Sequence, residues 1–343
     1  MHAVGIEQIG HNASSAQGGR RMIATQTVDL SILIVNWNGI EMLRALLGSI
    51  EANRGNLNVE TIIIDNASSD GSPEMVTQEF PQVQLIRNPN NDRFGRANNH
   101  AAAMATAPLL LLLNNDTLVR PGALETMVQF LDEHPDIIAC GPKLIGRKGT
   151  PQSSVRNLPC LKALLHPLPL LKWTRLFRQP YRQYRHEGFD PRRCGPAQQL
   201  DAAALMIRRD AFNRCRGFDE EYEFGVEDVD LCIRLGELGT LFYLPAAEVE
   251  HLGRISSHAN RTRVNRAYLC GWARYFGKHH GRGTALLYKL AITLDLPARF
   301  IVLWIEWIAQ KIAGRTERAK LTSERLRAAR SFAFTGLPRF WAS

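Results

Sequence analysis

The chain has 343 residues, of which 45% are hydrophobic and 22% charged, and its formal net charge is +9. This composition is typical of a soluble globular protein and excludes a fibrous or low-complexity chain; the length allows one large domain with an appendage. From Lys311 to Ser343 there are eight Lys or Arg residues and two Glu residues. This basic tail favours a contact with an anionic membrane or with nucleic acid.

Residues 1–27 are polar, contain many Gly, Ser and Gln, and have no apolar core segment. We therefore predict that they are disordered and do not form a signal peptide. The six cysteines show neither Cys-x-x-Cys nor zinc-like spacing. This scatter indicates reduced thiols in a cytoplasmic protein.

Short apolar runs alternate with helical patterns from residue 30 onward. We predict strands over Leu30–Val35, Val59–Ile64, Val83–Ile86, Leu109–Leu113, Ile137–Gly141 and Leu241–Leu244. Helices are expected around Met42–Ile50, Pro73–Phe80, Ala97–Thr106, Pro121–Glu133 and Glu227–Leu238. Strands that alternate with helices at this spacing are typical of an α/β protein with a mostly parallel, doubly wound sheet. Residues 149–194 are rich in proline, basic and aromatic residues, and we expect an irregular, substrate-facing insertion there.

The run of five leucines at Leu109–Leu113 predicts a strand that is buried on both faces. Asn114, Asn115 and Asp116 follow it directly. Ligands of open α/β sheets bind at the carboxyl ends of strands, so a carboxylate here is well placed to hold a divalent cation and a phosphate. Asp116 could instead only cap the helix that follows.

Six stretches occur in order, most of them at predicted strand ends. They are VNWNG (35–39), DNASSDGS (65–72), NDRFGRANN (91–99), NND (114–116), GFDEEY (217–222) and VEDVDLCIRL (226–235). Together they make the chain resemble a family-2 inverting glycosyltransferase with the GT-A nucleotide-diphospho-sugar transferase fold. The resemblance covers about Ser31–Ser257. It implies a GT-A domain at 28–260 after the disordered residues 1–27, followed by a helical, basic, membrane-associating region at 261–343.

The resemblance implies a set of side chains that bind the nucleotide-sugar. They are Asn36, Asn38, Asp65, Asn66, Asn98, Asn115 and Asp116. At the end of the second strand, Asp65 would accept the N3–H of a uracil or thymine ring. Alternatively, it only forms a local turn bond with Ser68 or Ser69.

Asn114 and Asp116 resemble the metal-binding Asp-x-Asp element of the family. Mg²⁺ or Mn²⁺ bridging the diphosphate oxygens would neutralise the charge that develops on the leaving group. With Asn114 in place of the first Asp, we expect a modest metal affinity. His251 stands where many relatives supply a histidine to the cation, although a lone histidine can also be structural. Arg93 replaces a glycine of many relatives and could reach the diphosphate or point to solvent.

Glu227 and Asp228 match the pair that carries the acid–base work in the family. In a direct displacement a carboxylate must take the proton of the acceptor hydroxyl, and the resemblance assigns this role to Asp228. Adjacent carboxylates raise each other's proton affinity, which suits a base. The alternative is a solvated acidic helix start. Glu227 and Asp230 lie on other faces of the predicted helix, since each residue turns it by about 100°.

Residues 285–313 are strongly apolar, but charged residues interrupt them, so we predict no membrane-spanning helix. The polar residues fall on one helical stripe: Asp295, Arg299, Glu306 and Gln310. The remaining face is broadly apolar and contains Phe300, Ile301, Leu303, Trp304, Trp307 and Ile308. With the basic tail, this pattern indicates an interfacial helix on an anionic leaflet. Alternatively, the apolar face packs on the catalytic domain or on a second subunit.

The NWN, NND and EDVDLC variants are similar to those of rhamnosyltransferases, which implies dTDP-L-rhamnose, or another dTDP- or UDP-sugar, as the donor. The expected acceptor is a lipid-linked or cell-surface saccharide, and the expected location is cytoplasmic and peripheral on the inner membrane face. A homodimer is a further expectation. A different hypothesis is a catalytically silent nucleotide-sugar-binding subunit of a polysaccharide-assembly complex; Asn114 and Arg93 favour it and the Glu227-Asp228 pair argues against it.

Two other classes are disfavoured. Nucleic-acid binding by the tail lacks a supporting motif, so we expect no nucleic-acid partner. A dehydrogenase is disfavoured because no Gly-x-Gly-x-x-Gly follows the first strand.

Overall fold

The computed structural model describes residues 27–253 and 261–343. Nearly all of the predicted disordered segment, residues 1–26, therefore lies outside the described residues. The strands are β1 (Leu30–Asn36), β2 (Val59–Asp65), β3 (Gln84–Arg87), β4 (Leu109–Asn114), β5 (Thr117–Val119), β6 (Ile137–Ile145), β7 (Val155–Arg156), β8 (Gly195–Pro196), β9 (Gln199–Leu200), β10 (Ala204–Arg208) and β11 (Thr240–His251).

A nine-stranded mixed sheet forms the centre of the molecule, with the order β3-β2-β1-β4-β10-β6-β11-β5 and β8 added beside β11. β1 pairs in parallel with β2 and β4, β2 with β3, and β6 with β11. β10 runs antiparallel between β4 and β6, and β5 and β8 run antiparallel to β11. The predicted parallel arrangement is thus confirmed for most strands. The reversed strands were not predicted. β5 and β8 have three and two residues, too few to show a periodic pattern, and the apolar pattern of β10 would be the same in either direction.

Helices cover both faces of this sheet, as predicted. The helices are α1 (Ile40–Asn53), α2 (Ser72–Glu79), α3 (Phe94–Met104), α4 (Ala123–Glu133), α5 (Leu161–Leu165), α6 (Pro169–Trp173), α7 (Arg178–Tyr184), α8 (Arg209–Arg214), α9 (Glu227–Gly236), α10 (Arg261–His279), α11 (Arg282–Ile312), α12 (Thr316–Ser331) and α13 (Leu337–Ala342), with a π-helical stretch at Phe332–Gly336. The insertion that we expected to be irregular contains α5, α6 and α7. Helices this short have too few turns to show a helical period in the sequence.

The leucines of β4 alternate between the two layers of the core. Leu109, Leu111 and Leu113 pack with α1 and α4, whereas Leu110 and Leu112 pack with α3 and α9. All five are at most 2% exposed, and a fully buried leucine contributes about 1.5–3 kcal/mol. This burial makes β4 a rigid support for the polar residues that follow it.

The C-terminal helices share a third core with the sheet domain. Trp272, Phe276 and Tyr288 of α10 and α11 pack in one cluster with Val226 and Val229, which lie at the start of α9. The cluster also includes Phe332 and Phe340, so α12 and α13 are integrated into the fold. The predicted boundary after residue 260 adjoins residues 254–260, which lie outside the described residues.

Most of the polar stripe of α11 faces the protein, whereas Glu306 is exposed. Asp295 is buried and pairs with Arg299 at 3.6 Å, and the Gln310 Oε1 accepts a hydrogen bond of 2.8 Å from Thr322 of α12. Ile301 and Trp304 consequently point outward and are 59% and 57% exposed. The described part of the chain therefore does not cover the part of the apolar face that contains Ile301 and Trp304. Among the described residues, no helix has the length and apolar character that a membrane span requires.

Candidate active site

A chain of hydrogen bonds joins three strand ends at the carboxyl edge of the sheet. The Asn36 Nδ2 donates to the Asp65 Oδ1 at 2.9 Å, and the Asn36 Oδ1 accepts from the Asn115 Nδ2 at 2.8 Å. Parallel pairing sets this geometry, since Asn36 of β1 lies directly beside Asp65 of β2. The network is closely packed: a Cβ added at Gly39 would lie 2.5 Å from the Asn115 Nδ2. Three of the predicted donor-binding residues are thus brought together.

Both carboxylate oxygens of Asp65 are held by the protein. The Asp65 Oδ2 accepts the Ser68 N–H at 2.9 Å, so the turn bond considered from the sequence is present. Asp65 is only 2% exposed. Since each carboxylate oxygen has two lone pairs, one bond at each leaves capacity for a further donor.

The remaining predicted asparagines differ in their placement. The Asn38 Oδ1 accepts the Ser69 N–H at 2.8 Å and so joins the loops after β1 and β2. Asn66 is buried, and its Oδ1 accepts from the Asn88 Nδ2 at 2.9 Å. Asn98 is also buried but donates to the Phe94 carbonyl of its own helix at 3.0 Å. Its bond therefore stays within α3 and does not join the network at the strand ends.

Arg93 adopts a backbone conformation that glycine favours, with φ +68° and ψ 165°. Such conformations cost a residue with a side chain of order 1–3 kcal/mol. The Arg93 Nη1 donates to the Glu220 carbonyl at 3.2 Å, and its Nη2 lies 3.8 Å from Glu223. Arg93 thus contacts the loop before α9.

Asp116 and His251 meet at the end of the sheet. The His251 Nε2 lies 3.4 Å from the Asp116 Oδ1, and both side chains are largely buried. Gln152 donates its Nε2–H to the His251 carbonyl at 2.7 Å, which turns the Gln152 Oε1 toward the His251 Nδ1 at 2.9 Å. That oxygen can only accept, so the His251 Nδ1 donates to it. The His251 Nε2 then faces the Asp116 Oδ1, and imidazole nitrogens and carboxylate oxygens are both metal ligands.

The protein alone supplies few ligands for such a cation. Within residues 27–253 and 261–343, no group of three or more His, Cys, Asp or Glu side chains could hold a metal ion. Mg²⁺ is commonly held by one or two carboxylates together with substrate phosphates. The Asp116–His251 pair therefore fits a metal that the donor diphosphate helps to coordinate.

Glu227 and Asp228 begin α9 and point in different directions. The buried Glu227 turns back, and its Oε2 accepts the Val226 N–H at 2.8 Å. The half-buried Asp228 accepts the Val229 N–H at 2.8 Å, as its position at a helix start allows. Burial raises the pKa of Glu227. Burial and the charges of Asp201 and Glu227 raise the pKa of Asp228 well above its usual range.

Asp228 lines a small cavity of about 200 Å³. Arg156, Tyr184, Asp201 and Tyr268 contribute to the same cavity. The sequence did not indicate these residues, because they come from the insertion, β7, the loop after β9 and the C-terminal helices. No local motif marks them; only Asp201 had a signal, as a carboxylate that precedes a buried strand.

Asp230 faces away from this cavity. It is fully buried, bonds to His279 and Lys278 at 2.8 Å each, and pairs with Arg234 at 2.6 Å. Although burial opposes ionisation, hydrogen bonds from His279 and Lys278 and the charge of Arg234 lower the pKa of Asp230. Asp230 therefore links α9 to α10, which leaves Asp228 as the acid of this helix that lines the cavity.

A family model described as glycosyl transferase family 2 matches residues 31–212, the part of the chain that carries the strand-end network. The chain belongs to glycosyltransferase family 2. This family-2 chain is 33% identical over 211 residues to an N-acetylglucosaminyl-diphospho-decaprenol L-rhamnosyltransferase of Mycobacterium tuberculosis. The match covers 56% of this chain and 66% of the length of that relative.

Solved structures show the same GT-A fold. One is GalNAc-T7 with UDP, GalNAc and Mn²⁺, with a TM-score of 0.54 and 17% identity over 72% of this chain and 48% of that one. Another is the mannosyltransferase PcManGT of Pyrobaculum calidifontis in complex with GDP-Man and Mn²⁺, with a TM-score of 0.53 and 15% identity over 91% and 88% of the two chains. At these identities the likeness establishes the fold of this family-2 glycosyltransferase.

Proposed function

We propose that the chain transfers L-rhamnose from dTDP-L-rhamnose, or a related sugar from a dTDP- or UDP-donor, to a lipid-linked saccharide with inversion at the anomeric carbon. The identity to the mycobacterial rhamnosyltransferase supports the choice of sugar and acceptor. The observation that carries the proposal is the cavity in which Asp228 lies beside Arg156 and Asp201. The Asp228 carboxylate, whose pKa is raised, lines this cavity, and a hydroxyl group of the acceptor would enter there.

The reaction is a single displacement. The acceptor oxygen forms a bond to the anomeric carbon while the bond from that carbon to the donor diphosphate breaks. The proton of the acceptor hydroxyl passes to Asp228, and the nucleoside diphosphate leaves. Glu227, which is buried and bonded to the Val226 N–H, positions the start of α9. A carboxylate that takes the proton only as the bond forms acts as a general base.

The donor would bind at the carboxyl edge of the sheet. Asp65 would accept from the base, while Asn36, Asn38, Asn66 and Asn115 hold the loops around it. Asn98, whose amide bonds to the Phe94 carbonyl within α3, is not part of this network. Asp116 and His251 would hold Mg²⁺ or Mn²⁺, whose charge offsets that of the leaving diphosphate. Structural neighbours were solved with Mn²⁺, which is compatible with this assignment.

We further propose that the protein acts as a peripheral protein at the cytoplasmic face of an anionic membrane. The outward residues of α11, such as Ile301, Trp304 and Ile305, are more than half exposed. Cations of α12, among them Lys320 and Arg327, are also exposed, and α12 packs against α11 through the Thr322–Gln310 hydrogen bond. Apolar burial together with attraction to anionic lipids is the pattern of an interfacial helix.

Transfer can be tested with dTDP-L-rhamnose and a short-chain lipid-linked N-acetylglucosamine acceptor. Formation of an inverted rhamnosyl product is expected, together with slow donor hydrolysis when the acceptor is omitted. Nucleotide binding without either reaction would indicate a catalytically silent binding subunit. Comparison of dTDP-L-rhamnose with UDP-sugars in the same assay would identify the donor.

A further inference from the structure

A second and larger cavity adjoins the Asp228 cavity on the side of the C-terminal helices. It has a volume of about 980 Å³ and lies between α6, α10, α11 and α12. We call it the outer groove and define it by Lys172, Trp173, Tyr268, Arg299, Val302 and Arg325. Tyr268 lines both cavities. A molecule that extends past Tyr268 could therefore occupy both at once.

The outer groove is rich in cations. Lys172, Arg175 and Arg325 are exposed, and none of them forms an ion pair with another residue in the described part of the chain. Arg299 also lines the groove and rests on the buried Asp295 at 3.6 Å. Glu306 is the acidic residue of the lining. Several cations around one space suit a group with more than one negative charge, such as a diphosphate.

The same groove has apolar walls that continue onto the outside of the protein. Trp173 is 95% exposed, and Val302 is 39% exposed. From Val302 the surface continues to Ile301 and Ile305 on the outward face of α11, which are 59% and 56% exposed. Large apolar patches on a surface mark interaction sites. Cations on one side and apolar side chains on the other match a ligand that is both anionic and apolar.

We propose that the outer groove binds the diphosphate and the first isoprenoid units of a polyprenyl-diphosphate-linked acceptor. This inference rests on the proposed function. A sugar linked to a lipid diphosphate carries its hydroxyl groups and its diphosphate at different positions of one ring. With the sugar beside Tyr268, a hydroxyl enters the Asp228 cavity while the diphosphate meets Lys172 and Arg325. The lipid chain then passes Trp173 toward the outward face of α11.

This site is separate from that of the donor diphosphate. The donor site is built from Asp116 and His251 at the edge of the sheet, whereas helices and the insertion form the outer groove. The protein would recognise the donor diphosphate and the acceptor diphosphate in different ways. The donor site has a carboxylate and suits a bridging cation, but the outer groove offers cationic side chains directly.

Direct titration of the full chain with farnesyl diphosphate, in the absence of donor, tests the assignment. The variant Lys172→Glu/Arg325→Glu should bind this probe at least about tenfold more weakly, since two attractive charges become repulsive. Lys162→Glu is the matched control, because Lys162 is an exposed cation of the same insertion as Lys172 but does not line the groove. It should bind like the parent. Trp173→Ser should weaken farnesyl diphosphate binding and leave the affinity for inorganic diphosphate unchanged.

Equal affinity of the double variant and the parent for farnesyl diphosphate would overturn the inference. So would equal binding of farnesyl diphosphate and inorganic diphosphate by the parent, which would indicate a site for free phosphate groups. Competition by phosphatidylglycerol vesicles as effective as that by farnesyl diphosphate would reassign the groove to membrane headgroups. Titration of dTDP in the same variants should be unchanged. Failure of the proposed function would appear separately, as a parent protein that binds neither dTDP nor UDP.

Discussion

The His251 Nε2 lies 3.4 Å from the Asp116 Oδ1 because β5 and β11 pair in a fixed register. In that register His251 faces Thr117, and the Leu252 N–H donates to the Asp116 carbonyl at 2.8 Å. The contact thus joins two segments that are far apart in sequence. Its position is set by backbone pairing, so a substitution of either side chain should leave the sheet in place.

Removal of the metal should stop transfer. We expect excess EDTA to abolish activity and Asp116→Ala to have the same effect, because the diphosphate would lose its counter-charge. The measurement is product formation with and without added Mn²⁺, together with dTDP affinity under both conditions. Asp132→Ala, at an exposed site on α4, is the control and should retain full activity. Undiminished transfer in excess EDTA would remove the metal from the mechanism.

Asp65 should determine nucleotide affinity. Asp65→Ala should weaken dTDP binding and also lower the free energy of unfolding by about 1–3 kcal/mol, since the buried Asn36 amide loses one of its two acceptors and the Ser68 N–H loses its acceptor. Asp70→Ala is the matched control. Asp70 lies in the same loop and accepts from the Ile40 N–H at 2.9 Å, but it does not join the strand-end network. If both variants bind dTDP like the parent, base recognition lies elsewhere.

Asp228 should act as the base. Asp228→Asn keeps the size of the side chain and removes the proton acceptor, so kcat should fall by roughly 10²–10⁴-fold. Donor affinity should change little, because the lost interaction matters in the transition state. Glu227→Gln should mainly affect stability, since Glu227 is buried and bonded to the Val226 N–H. A larger loss of kcat in Glu227→Gln than in Asp228→Asn would show that the base is Glu227.

The pH profile of transfer should report the raised pKa of Asp228. Below that pKa the carboxyl is protonated and cannot take a proton, so kcat should rise with pH through a midpoint above 3.8, the ordinary value. The charge of Asp201 contributes to the shift. Asp201→Asn should therefore move the acid limb to lower pH. An unchanged midpoint in Asp201→Asn would mean that another group controls this limb.

Membrane binding should depend on the outward face of α11. Ile301→Glu/Ile305→Glu should reduce binding to phosphatidylglycerol liposomes by at least about tenfold, since both side chains are exposed and their loss leaves the core intact. Parent binding should also weaken as salt rises, because Lys320, Arg327 and their neighbours attract the lipid headgroups. Sedimentation with liposomes measures both effects.

Point substitutions test membrane binding by α11 more directly than deletion of residues 296–343 does. Phe332 and Phe340 are buried in the third core, so the deletion would disrupt the fold. Unchanged liposome binding by the double variant would contradict the membrane proposal. If the variant instead changed a dimer into a monomer in sedimentation velocity, the apolar face would be a subunit interface.

The apolar sequence pattern was sufficient to predict most of the sheet and its coverage by helices. It did not indicate β10 as a strand, and the burial of residues 204–207 would be the same in either strand direction. The meeting of Asn36, Asp65 and Asn115 at one edge was also predictable, since each lies at or just after the end of a buried strand. The Asp228 cavity was not, because Arg156 and Tyr268 are brought to it by an insertion and by α10. Their positions depend on tertiary packing.

The hydrogen bonds of Asn36 also restrict how this edge of the sheet can evolve. Its amide must donate toward Asp65 and accept from Asn115, so neither a carboxylate nor an apolar residue can replace it alone. An aspartate at position 36 would place two acceptors in contact unless position 65 changed as well. Substitutions at these three positions should consequently be non-additive in double-mutant cycles. Homologues that bind a different nucleobase should therefore differ from this chain at more than one of positions 36, 65 and 115.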